Sequence, residues 1–205
     1  MSDKAFFIGD HAALDFLNTI AAPRWEVIES IADGGAYLAW LVDAGLLDAA
    51  AKQPLMDKFA GPALDLVAGE ARDLREWFRQ LIAKAANPKA RPPVARPPAE
   101  AVATLNRLLA IGSSHRQLET TAKRIALCEK HTFTKARQLL VPVAEAIAAL
   151  VTDSDPSLVK RCANPACSLW FYDRTKAHRR LFCSAAVCGN RAKVAAFRER
   201  QRQAR

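Results

Sequence analysis

Four of the five cysteines fall in the stretch CANPACSLWFYDRTKAHRRLFCSAAVC, as Cys162 and Cys167, then Cys183 and Cys188. They form two C-x4-C pairs separated by fifteen residues. Four thiolates brought together give a tetrahedral S4 site, the geometry preferred by structural zinc. Iron also takes such a site, but nothing in the chain implies redox work, so one Zn2+ per chain is expected. With all four positions filled by protein, no coordination site stays open for a substrate, so no catalytic residue is assigned. Asn164-Pro165 is expected to shape the first turn, and Ser184 to cap a helix that carries Cys188 in its first turn. His178 reads as a surface or phosphate-contact residue. Cys128 stands apart and reads as a small packed hydrophobe.

Charge is distributed unevenly around these cysteines. Residues 1–159 carry 18 Lys and Arg against 19 Asp and Glu, whereas residues 160–205 carry 12 against 2. A near-neutral body with a basic tail is the pattern of a chain that meets a polyanion. The candidate contacts form two groups. Arg174, Lys176, Arg179 and Arg180 belong to an expected hairpin between the cysteine pairs. Arg191, Lys193, Arg198 and Arg202 belong to the expected terminal helix, whose Val187, Val194 and Phe197 would turn toward the hairpin or the main body. One held face and one basic face would let that helix lie against phosphates. The plainer alternative is a solvated basic helix. Trp170, Phe171 and Tyr172 are expected to build the small module's core.

The elements that must hold this module are mostly helical. A short apolar run at residues 6–8 suggests a strand. Leu14, Leu17 and Ile20 then recur at helical spacing, with Asp10 as the expected cap. His11, Asp15 and Asn18 share a face of that helix and form a polar cluster, read as capping or anchoring rather than catalytic. A turn is expected at Asp33-Gly34-Gly35, followed by a helix through Tyr37 and Leu41 that Gly45 ends, and another helix is expected over residues 46–52. Residues 61–86 give the strongest helical pattern, with Leu64, Val67, Ala71, Leu74, Phe78 and Leu81 on one side. Five prolines in residues 88–98 demand an extended stretch, read as an excursion between two helices of one domain. Helix resumes over residues 99–111. A hairpin is expected from 115–119 and 123–129, and a helix from 133–152 that Pro142 bends or starts anew.

The string CSAAVCGNR at residues 183–191 resembles the CGNR zinc finger of bacterial proteins. RCANPAC at 161–167, FYDRTK at 171–176 and RRLFC at 179–183 agree with it, although Leu181 and Phe182 stand where a tryptophan is common. Upstream, LDFLNT at 14–19 and LNRLLA at 105–110 resemble the ABATE domain usually joined to this finger. The resemblance implies a stress-induced transcription regulator whose finger binds DNA and whose upstream domain senses a signal. The expected fold is mainly α: a helical domain with a β-hairpin over residues 1–155, then a treble-clef-like zinc module of hairpin and helix over 156–205. DNA is the expected partner, with a small-molecule effector and a homodimer as further expectations, and an RNA- or protein-binding module as the alternative. An enzyme is not expected, since the chain has no nucleophile elbow, phosphate loop or HExxH string. The opening residues lack the apolar core of a signal peptide, and no apolar run is long enough for a membrane helix, so a cytoplasmic location with reduced thiols is expected.

Overall fold

A computed structural model describes residues 5–22, 27–85, 97–120 and 124–203. The proline-rich residues 88–96 and the hairpin turn at 121–123 lie outside the described residues. The chain runs through α1 (Ala12–Leu17), β1 (Ile20–Ala21), β2 (Ile28–Glu29), α2 (Gly34–Asp43), α3 (Ala49–Lys58), α4 (Gly61–Ala85), α5 (Ala99–Leu109), β3 (Ser114–Thr120) and β4 (Ile125–His131). A 3-10 turn at Ala136–Leu140 leads into α6 (Val141–Asp153). After it come β5 (Val159–Arg161), β6 (Trp170–Tyr172), a π turn at Ala185–Gly189 and α7 (Asn190–Gln203). Each sheet is a single antiparallel pair: β1–β2, β3–β4 and β5–β6. Among the described residues, no helix is long and apolar enough to cross a membrane.

The long helix α4 organises the body because its apolar stripe is continuous. Leu64, Val67, Ala68, Ala71, Leu74, Phe78 and Ile82 are all buried at three- and four-residue steps. Helix α2 crosses it at close range. A Cβ on Gly34 would sit 2.3 Å from the Leu64 Cβ, so only glycine fits there. Asp33 caps α2 by accepting from the Ala36 N–H at 2.8 Å, and Asp65 of α4 accepts from the Gly34 N–H at 2.9 Å. Gly45 stops the next stretch with a left-handed φ of 69°. The helix expected at 46–52 starts later, because Asp48 is its cap. Pro142 falls near the start of α6, where its missing N–H costs nothing.

Two expectations near the N-terminus are corrected. Residues 6–8 do not form a strand; Phe6 and Ile8 pack onto the cysteine cluster. The cap of α1 is His11, whose Nδ1 accepts from the Ala13 N–H at 3.2 Å, rather than Asp10. Asp10 takes a left-handed φ of 57° and turns its carboxylate to Arg180.

The LDFLNT string forms the joint between the body and the C-terminal module. Leu14, Phe16 and Leu17 are fully buried in the main core. Asn18 donates from Nδ2 to the Trp170 carbonyl and accepts from the Trp170 N–H, both at 2.9 Å. Thr19 donates to the Phe16 carbonyl and accepts from Arg75, which is buried and clamps Glu29 through two bonds of 2.8 and 2.7 Å. Val159 and Trp170 of the module lie in the same apolar cluster as α1, α4 and α6. The module therefore packs as a continuation of the body.

Replacing Asn18 by alanine leaves a buried N–H and a buried carbonyl of Trp170 without partners. Asn18→Ala is expected to cost about 2–4 kcal/mol of stability, measured by chemical denaturation. A loss no greater than that of a surface substitution would contradict the role of this joint.

Candidate metal centre and its basic surround

The four cysteines are buried together, and their sulfurs all lie within 4.8 Å of one another. Cys167 and Cys183 are 3.8 Å apart, and Cys183 and Cys188 are 3.6 Å apart. A tetrahedron with metal–sulfur bonds of ~2.3 Å has an edge of roughly 3.8 Å, so these separations suit an S4 ion. The residues present therefore fit a metal such as Zn2+. Cys128, on β4, takes no part in the cluster.

Local sequence sets each sulfur. Asn164 is buried and accepts from the Ala166 N–H at 3.0 Å, which bends the chain so that Cys162 and Cys167 face each other. The Cys162 N–H meets the Leu169 carbonyl at 2.9 Å, closing the first knuckle. Ser184 caps the π turn by accepting from the Val187 N–H, placing Cys188 one turn inside.

The electrostatics of the bare cluster favour one thiolate and oppose more. The Cys183 thiol beside it pulls Cys167 down to about 5, against the effect of burial. That same contact, with burial, pushes Cys183 far up, and burial raises Cys188. A divalent cation resolves this repulsion, because it is the one partner that lets all four sulfurs ionise.

The strand pairing differs from the expected hairpin between the cysteine pairs. β6 pairs with β5, which precedes Cys162, in the register Val159–Tyr172, Lys160–Phe171 and Arg161–Trp170. Residues 173–182 form a loop instead, because Asp173 gathers it. This fully buried carboxylate accepts from Lys160 Nζ and Thr175 Oγ1 at 2.6 Å each. It also accepts from the Arg180 N–H at 2.9 Å and the Thr175 N–H at 3.1 Å. Burial works to raise its pKa, yet these donors hold it well below the usual carboxylate range.

The structure divides the basic residues into two kinds. Arg180 is built into the fold: it lies 4.2 Å over the Phe171 ring, donates to the Phe182 and Cys183 carbonyls, and pairs with Asp10. Its guanidinium is engaged on every side, so it acts as a structural cation rather than an open phosphate contact. Arg174, Lys176 and Arg179 lie exposed on the Asp173 loop, with His178 beside them in a left-handed conformation. Lys193, Arg198 and Arg202 are exposed along α7, and Arg191 is partly buried at its base. Phe171 is fully buried, as expected for a core residue. The apolar residues of the π turn and α7 behave otherwise than expected: Val187, Val194 and Phe197 are about half exposed and face solvent, not the module.

His11, Asp15 and Asn18 do not converge on a common point of chemistry. Each binds separate backbone: His11 at Ala13, Asp15 at the Gly9 N–H at 2.7 Å, and Asn18 at Trp170. Burial raises the Asp15 pKa to about 6. Sequence reasoning passed over Asp173 and Lys160. The signal was present, since Asp173 is the one acid between residues 160 and 198.

A family model described as "Putative stress-induced transcription regulator", ABATE, matches residues 10–154. The chain belongs to the ABATE family. A second model, the CGNR zinc finger, matches residues 159–201 and contains all four clustered cysteines. No curated protein matches the chain. In this ABATE protein the LDFLNT string is the joint that docks the finger onto the helical body.

Cys188→Ser removes one of the four thiols that would hold the metal and is expected to lower the zinc bound per chain and to weaken zinc affinity by at least about tenfold. Elemental analysis and competition with a chromogenic chelator measure both. Cys128→Ser is expected to leave metal content unchanged.

Proposed function

We propose that this protein is a DNA-binding transcription regulator in which one structural Zn2+ per chain, held by Cys162, Cys167, Cys183 and Cys188, stiffens a basic module that docks on the phosphate backbone. The observation that carries this reading is the arrangement of charge in residues 160–205. The buried Asp173 is neutralised from within by Lys160, while Arg174, Lys176, Arg179, Lys193, Arg198 and Arg202 stay exposed. Even with a fully ionised Zn–S4 centre of net charge −2, the segment keeps about +8. A surface of this kind attracts a polyanion by counterion release and gains no affinity for an uncharged ligand.

The zinc is structural in this reading. It supplies cross-linking of two knuckles and takes no substrate, since all four positions are thiolates. The helical body positions the module through Asn18 and Trp170, and sensing of a signal by that body belongs to the same proposal.

A second reading draws on one specific observation, the exposed apolar stripe running from the π turn along α7. Val187, Val194 and Phe197 beside Arg198 would also suit an RNA with unpaired bases or a protein surface.

Titration of the zinc-loaded protein against random-sequence duplex DNA at several salt concentrations separates these readings. Affinity is expected to fall steeply with salt. The Lys193/Arg198/Arg202→Ala variant is expected to lower the log–log slope by about 3, one step per lost phosphate contact. Duplex binding that ignores salt, or binding of single-stranded RNA alone, would overturn the DNA assignment.

A further inference from the structure

The β3–β4 hairpin is patterned inside out. Alternate residues of a strand point to opposite faces. Its register sets Arg116 opposite Glu129, Leu118 opposite Leu127 and Thr120 opposite Ile125, all on one face. The other face carries Gln117, Glu119, Ala126, Cys128 and Lys130 and turns toward α3, where Gln117, Glu119 and Lys130, together with Glu129 and His131 from the strand's other side, line a cleft. Lys130 fixes it there, 2.7 Å from Glu119 and 3.8 Å from Asp48 at the α3 cap. The aliphatic face is left to solvent: Leu118 is 71% exposed, Ile125 66% and Leu127 59%. A period-2 pattern normally sends that face to a core. A two-stranded sheet has little stability alone, and a contiguous aliphatic face on it marks a contact surface.

We propose that this face is where two copies of the chain meet to form a two-fold dimer. The face is complementary to a second copy of itself. Let two such hairpins stack face to face, at the ~10 Å spacing of packed sheets, about a two-fold axis running along the strands. β3 of one copy then lies over β4 of the other, with the rows in step. Each Arg116 meets the partner's Glu129, and each Leu118 meets the partner's Leu127. A two-fold axis across the strands would instead lay the charged row over Thr120 and Ile125, which leaves the charges unmatched. The first arrangement satisfies the charges and buries the aliphatic rows together. The surface is small, below the ~1,200 Å2 of a standard interface, so the dimer exchanges with monomer. Its consequence is an assembly that presents two zinc modules.

Sedimentation velocity on the zinc-loaded full chain, from about 1 to about 100 µM, tests the proposal. Wild type is expected to shift from monomer to dimer across that range. Leu118→Asp, at an exposed site that the fold does not need, is expected to stay monomeric with unchanged circular dichroism and zinc content. Arg116→Glu is expected to weaken the dimer at least about tenfold, and Arg116→Glu with Glu129→Arg to restore it. A wild type that stays monomeric, a dimer indifferent to Leu118→Asp, or a charge exchange that fails to restore association would each overturn the proposal.

Discussion

Four cysteine sulfurs held within 4.8 Å of one another cannot all carry charge unless a cation sits among them. The C-terminal module depends on that constraint because it has little else at its centre. Of the seven residues buried in its apolar cluster, four are the cysteines themselves, leaving Ala21, Leu169 and Phe171. Ala21 is not even part of the module's own sequence. Phe6 and Ile8 also come from the chain's beginning to cover the cluster. A metal held by these four cysteines would do for this segment what apolar burial does for the helical body.

The body and the module are joined by polar contacts that close on backbone. Asn18 reproduces a strand's pair of hydrogen bonds on Trp170, Gly9 accepts from the Tyr172 N–H, and Ser168 accepts from the Ala22 N–H. Arg180 and Asp10 add an ion pair across 170 residues of sequence. Behind them Arg75, Glu29 and Thr19 form a buried network that fixes the end of α1 against α4. A change of state at the metal cluster therefore has a physical route to α1. The same contacts hold the loop that carries Arg174, Lys176 and Arg179 at a set position relative to the helices.

Much of this was legible in the sequence where the physics is local. The two C-x4-C pairs announced the sulfur cluster and the stripe of α4 announced the main core, while Asp33-Gly34-Gly35 announced the helix that follows as a turn, although Asp33 caps it and both glycines lie inside it. Errors arose where partners are remote. Phe6 and Ile8 read as a strand because apolar periodicity cannot say that they pack on cysteines more than 150 residues away. The expected hairpin was misplaced because β5 and β6 are three residues each, too short to carry a pattern, and lie on either side of the first knuckle. Arg180 read as a phosphate contact because its residue type is visible and its pairing with Asp10 is not. The stripe of Val187, Val194 and Phe197 along the π turn and α7 showed amphipathic spacing, but spacing alone does not say what covers a face.

Amide hydrogen exchange on the zinc-loaded protein and on the same protein stripped of metal reports directly whether the sulfur cluster organises the module. If the sulfur cluster organises the module and its N-terminal cover as one unit, removing the metal will abolish protection at Cys162, Trp170, Tyr172 and Ala22. Protection along α4 and α6 will remain. Protection at those four sites that survives metal removal would show that the module folds without the cluster's ion, and would contradict the account.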